Sequence, residues 1–164
     1  MDTNQLTLAM MEYYNGDPKR IQHFLKVHSL ASLIGQMEKI DSVDQEVLEV
    51  AALVHDIGIK VGEEKYGRCD GKIQEEMGPA EAEALLDRLG YDDVIIARVS
   101  SLVANHHSYT DIQGKDHQIL VEADFLVNLY EDGAEKKSVM AAYRNIFKTH
   151  AGKKLCRMMY GLGE

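Results

Sequence analysis

The apolar positions of this chain recur at helical spacing and hardly anywhere alternate. After Asp17-Pro18 comes RIQHFLKVHSLASLIGQMEK, in which His23, Val27, Leu30 and Ile34 fall on one face of a helix. The aspartate supplies a cap for free amides, and the proline sits where a missing donor costs nothing. A second helix starts near Ser42 to Asp44, contains VLEVAALVHD and is expected to stop at Gly58, since glycine best tolerates the left-handed residue that ends a helix. A third is expected from Pro79 to Leu89 with Gly90 as its stop, and a fourth over VIIARVSSLVANHH. A fifth covers QILVEADFLVNLY ahead of Gly133, and a sixth begins near Glu135 and passes through VMAAYRNIF. The glycine-rich, mixed-charge stretch from Gly58 to Gly78 reads as a long lid or binding loop, with at most a short helix around Lys72 to Glu76. Because β-branched residues keep helical spacing, the expected fold class is all-α, as a single compact helical domain over residues 1–164.

Composition narrows the setting. A chain of 164 residues with 45% hydrophobic and 27% charged residues can build a core without disulfides or a structural metal. Cys69 and Cys156 are too few for a disulfide framework and too far apart for a CxxC site, which points to a cytoplasmic location. The opening MDTNQLTLAM has no basic segment and no long apolar run, so neither a signal peptide nor an anchor is expected. The formal net charge of −9 argues against a general nucleic-acid surface. It suits a protein that meets small anions locally, at a metal.

Ligand-type residues stand in apolar helical surroundings at four places: His23, the doublet His55-Asp56, the pair His106-His107, and Asp124 in LVEADFLV. One histidine on an apolar face is usually a hydrogen-bonded core residue. Asp56 and Asp124 change the balance, because an unpaired carboxylate among apolar residues is costly and a bound cation removes that cost. Imidazole and carboxylate suit Mn, Fe, Ni, Co or Zn, and the lack of cysteine among them disfavours a structural thiolate zinc site.

The order RIQHFLKV, LVHDIG, VANHH and VEADF resembles the HD-domain superfamily of metal-dependent phosphohydrolases, with 32 residues between His23 and His55. The resemblance covers about Arg20 to Leu129 and implies a divalent metal held by His23, His55, Asp56 and Asp124. His106 and His107 match the histidines that serve a second ion in dinuclear members, with Asp56 as the bridge. The further ligand there is commonly a histidine, and this chain has Gln74 instead, leaving Glu75 or Glu76 as substitutes. The implied activity is hydrolysis of a small phosphate ester, with nucleotides among the candidates. In it Asp56 orients or deprotonates water and Lys60 neutralises substrate phosphate, with Arg20, Lys65, Arg68 and Lys72 as further cations. Two alternatives remain: a di-iron oxygenase on the same scaffold, and a ligand-binding domain without catalysis. His28 is set aside because it lies about 140° around the helix from His23. His117 and His150 read as structural or surface residues, and Tyr109 as a candidate pocket residue.

Overall fold

The computed structural model describes residues 3–163, and the regular elements in them are all α-helices. In chain order they are α1 (Thr3–Tyr13), α2 (Pro18–Glu38), α3 (Ser42–Val54), α4 (Gly58–Tyr66), α5 (Gly71–Arg88), α6 (Asp93–Asn105), α7 (Lys115–Glu131), α8 (Lys136–Asn145) and α9 (His150–Tyr160). Helix α2 begins as its sequence suggests, with Asp17 accepting from the Arg20 amide at 3.1 Å and proline in the first turn. Asp41 caps α3 by accepting from the amides of Val43 and Asp44. Gly90 and Gly133 take the left-handed conformation that follows α5 and α7.

The middle of the bundle is formed by α3 and α7. From Val47 to Val54, α3 buries every residue except Glu49, and α7 buries the run from Ile119 to Asp124. Helix α2 packs against both, α6 packs on α3, α5 packs on α6, and α4 packs on α5. The core is one continuous cluster from Leu6 to Cys156. Helix α7 carries three buried carboxylates, of which Asp116 pairs with Arg98 at 2.7 Å. Glu122 is satisfied by the amides of Lys148 and Thr149, the Thr149 hydroxyl and Gln118, so it organises the entry to α9. Asp124 faces other partners, described below.

Three expectations are corrected. Gly58 does not end the second helix: α3 stops at Val54, three residues turn, and Gly58 opens α4. Its glycine is required by proximity, since a Cβ there would stand 2.7 Å from the Gly78 nitrogen and 2.8 Å from the Gln74 carbonyl oxygen. The stretch from Gly58 to Gly78 is therefore mostly helical, made of α4 and the first half of α5. Helix α5 begins at Gly71 rather than Pro79, capped by Asp70 accepting from the Ile73 amide. Pro79 removes one intrahelical donor, but the buried stripe of Ile73, Gly78, Ala82 and Leu86 runs through it and holds both halves to the neighbouring helices. Finally, α1 and α9 were not anticipated, because each buries only two or three residues.

Candidate metal centre

Four separate places in the fold deliver the ligand-type side chains. His23 projects inward from the second turn of α2, His55 and Asp56 lie in the turn between α3 and α4, and Asp124 comes from the middle of α7. His106 and His107 follow the last residue of α6. The structure brings His23, His55, Asp56 and Asp124 together. The Nε2 atoms of His23 and His55 are 3.2 Å apart. Asp56 Oδ2 lies 3.2 Å from the first and 3.4 Å from the second, and Asp124 Oδ1 lies 3.2 Å and 3.5 Å from them. Asp56 turns its other oxygen to His106, with Oδ1 3.4 Å from Nε2.

Each imidazole is held through its far nitrogen, which fixes the near one. His55 Nδ1–H donates to the Ala52 carbonyl and His106 Nδ1–H to the Val103 carbonyl, both at 2.8 Å. His23 Nδ1–H donates to the Glu131 carboxylate, at 3.2 and 3.3 Å from its two oxygens. In these tautomers all three Nε2 atoms present lone pairs to two carboxylates, and the buried His106 Nε2 has no hydrogen-bond partner. Lone pairs facing carboxylates at such range repel unless a cation lies among them.

The ionisation of the cluster gives the same answer. Burial opposes a charged His23, but the Asp124 and Asp56 carboxylates outweigh it and hold its pKa up at about 9. His55 is raised well above its usual value by Asp56 and Asp124, again against burial. Burial favours neutral carboxyls, yet His55, His106 and His23 hold Asp56 well below its usual range, and His23 and His55 do the same for Asp124. The carboxylates demand positive charge, whether as protons on imidazole or as a metal.

The donor set fits a metal. For atoms about 2.1 Å from one ion, the separations of 3.2–3.4 Å within the trio of His23, His55 and Asp56 correspond to angles of about 100–110°, ordinary for N and O ligands. A second compact group consists of Asp56, His106 and His107. Its His107 is otherwise engaged: Nε2 stands 2.7 Å from Gln74 Oε1, and Nδ1 stands 3.2 Å from the Tyr109 hydroxyl. Burial and then His106 lower the His107 pKa to about 4, so it is neutral, donating to Gln74 and accepting from Tyr109. Glu75 accepts from the His107 amide and the Ser108 hydroxyl instead of pointing at the centre, and Glu76 is exposed.

Beside the cluster lies a cavity of about 510 Å³, lined by His23, Asp56, Asp124, Gln74 and His107 and rimmed by Asp17, Lys19, Arg20, Asn128, Glu131 and Asp132. Ile59 is its one aliphatic lining residue. Lys60 does not line it. That ammonium donates to the Tyr13 carbonyl at 2.9 Å and lies 4.9 Å from the Tyr13 ring centroid. The nearest cations on the cavity side are Lys19 and Arg20, the latter paired with Asp17 and Glu63. Lys65, Arg68 and Lys72 are exposed and outside the lining. His28 faces Glu49, away from the centre, and His117 is buried between the Gln113 amide and the Asn105 carbonyl as a structural tie. Sequence reasoning did not find Glu131 or Asn128, whose Nδ2 donates to Asp124 Oδ1 at 2.9 Å. Helical spacing offered a signal for both, since Asn128 lies one turn and Glu131 two turns beyond Asp124.

No curated protein and no solved structure matches the chain. The sequence profile of the HD domain matches residues 20–145, a span that takes in every ligand-type residue of the cluster. With that match extending over most of its length, the chain belongs to the HD-domain superfamily of metal-dependent phosphohydrolases.

Proposed function

We propose that this chain hydrolyses a small phosphate ester with a divalent metal held by His23, His55, Asp56 and Asp124. The observation that carries the reading is the cluster of tautomer-fixed Nε2 atoms turned on two buried carboxylates beside an open polar cavity. When bound, the metal would supply Lewis acidity toward a phosphoryl oxygen and lower the pKa of water. The protein groups do the rest. Asp56, with one oxygen toward each set of histidines, is placed to orient a nucleophilic water and accept its proton. Neutral His107, whose Nε2–H is donated to Gln74 at the cavity wall, would serve a phosphoryl or leaving-group oxygen only where that oxygen displaces Gln74. Arg20 and Lys19 at the rim take the anion-neutralising role expected of Lys60.

The lining also bears on the substrate. With one aliphatic side chain and no aromatic platform other than imidazoles among the described lining residues, the cavity favours a hydrophilic ester such as a sugar phosphate over a nucleobase. The oxygenase alternative would need a second ion at His107, whose ring nitrogens are both engaged. The test is metal analysis of the purified protein, joined to assays of nucleotides, sugar phosphates and a generic aryl phosphate with Mn, Fe, Ni, Co or Zn. Metal-dependent phosphate release from at least one ester class is expected. Stoichiometric metal without release from any of them would overturn the catalytic reading and leave a binding domain.

A further inference from the structure

Helix α1 lies outside the span matched by the HD profile. It nevertheless packs on α3 through Leu6, Met10 and the following Tyr14, all buried. At its C-terminal end two adjacent tyrosines reach the turn that carries the metal-site doublet. The Tyr14 hydroxyl donates to the Asp56 carbonyl at 2.7 Å, and the Tyr13 hydroxyl donates to the Ile57 carbonyl at 3.2 Å. Lys60, from the first turn of α4, returns to the Tyr13 carbonyl, so the contact is made from both sides.

The position of these bonds matters more than their number. Between α3 and α4 the backbone runs through His55, Asp56 and Ile57 with only short-range pairing, Ile57 N–H to Val54 and Ile59 N–H to Asp56. The Asp56 carbonyl accepts from the Ile59 amide inside the turn, and the Tyr14 hydroxyl adds a second donor from outside it, which ties the peptide to the rest of the fold. The orientation of the Asp56 peptide also sets where its carboxylate points, and ligand groups must be held to within about 0.5 Å to be useful. We infer that Tyr14, assisted by Tyr13, is a positioning residue for the metal centre, holding the Asp56 peptide so that its two oxygens face His23 and His55 on one side and His106 on the other. The N-terminal helix is thereby part of the metal-binding apparatus of this chain. The inference rests on the reading of the cluster as a metal site.

The test is Tyr14→Phe, which removes one hydroxyl and no ring volume. Cobalt(II) is titrated into the full chain and followed by its visible absorption, alongside the thermal midpoint of the metal-free protein. Tyr143→Phe is the control, since its hydroxyl meets Arg157 on α9 rather than the doublet turn. Tyr14→Phe is expected to weaken cobalt binding about tenfold or more and to alter the visible band at saturation, with a smaller loss in the same direction for Tyr13→Phe. Tyr143→Phe should leave affinity and spectrum unchanged. A folded Tyr14→Phe protein with wild-type affinity and spectrum would overturn the inference, as would an equal loss in the control. If Tyr14→Phe does not fold, Tyr13→Phe decides by the same criteria. Wild-type protein that takes up no metal would overturn the underlying site reading as well, which separates the two failures.

Discussion

Glu131 offers the sharpest test of how the centre is held. His55 and His106 are oriented by backbone carbonyls that no substitution can remove, whereas His23 is oriented by a side chain, the Glu131 carboxylate at 3.2 Å. That carboxylate is in turn held by Lys26 at 2.9 Å. Glu131→Gln keeps the shape but loses the charge, and it allows an amide N–H to face His23 Nδ1, favouring the tautomer whose proton sits on Nε2. Either effect lowers the ligand quality of His23. Removing such an outer partner typically weakens metal binding by about 10–100-fold, equivalent to about 1.4–2.7 kcal/mol. The assay is competitive metal titration of wild type, Glu131→Gln and Lys26→Met, with metal-free thermal midpoints measured in parallel. Lys26→Met should stay within about threefold of wild type, because the carboxylate still accepts from His23. A Glu131→Gln protein within twofold of wild type would refute the claim that this hydrogen bond sets the tautomer.

The remaining expectations concern charge and stoichiometry. His23 holds its proton in the folded metal-free protein up to about pH 9 against an ordinary 6.5, so its stabilising contribution is complete below 6.5 and fades as pH rises through 9. Thermal midpoints of metal-free protein should fall across that window. Metal affinity should rise across it, by up to about tenfold per pH unit for one displaced proton, and a pH-independent affinity would contradict the assignment. Asp56→Ala should abolish both metal content and turnover, since His23, His55 and His106 all lose their shared carboxylate; wild-type metal content in that variant would exclude Asp56 as a ligand. Wild type should hold one tight metal, and Gln74→His should raise the content toward two by freeing His107 Nε2 and adding an imidazole beside Asp56 and His106. Two tightly bound ions in wild type would show that Gln74 does not restrain His107.

The helices and ligand-type residues were legible in the sequence for a shared physical reason. A helix that buries one face repeats its apolar residues with its own period, and a carboxylate such as Asp124 set within that face stands out because nothing in the period explains it. What could not be read depends on contacts across the fold. Gly58 resembled a helix stop, and only its nearness to Gly78 and Gln74 shows that it is a packing glycine opening α4. Pro79 resembled a helix start, and only the buried stripe on both sides of it shows a helix running through. Helix α1 carries too few buried positions to announce itself, and its tyrosines matter through hydroxyls that meet carbonyls 42 and 44 residues away.

The same division separates the chemistry from its support. Ligand identity is set by what a cation accepts, so it survives in the local pattern. Ligand orientation is set partly by two local carbonyls, three residues before His55 and His106, and partly by Glu131 and Tyr14, whose partners are reached only once α1, α2, α3 and α7 have packed. A metal drawing on α2, the α3–α4 turn and α7 at once is then a cross-link of the native state alone. Ligand binding of this kind stabilises the folded protein by about 2.7 kcal/mol at a hundredfold excess over the dissociation constant. The substitutions that misorient a ligand should therefore erode the metal-dependent part of thermal stability while leaving the metal-free part nearly intact, and those that open the core should do the reverse.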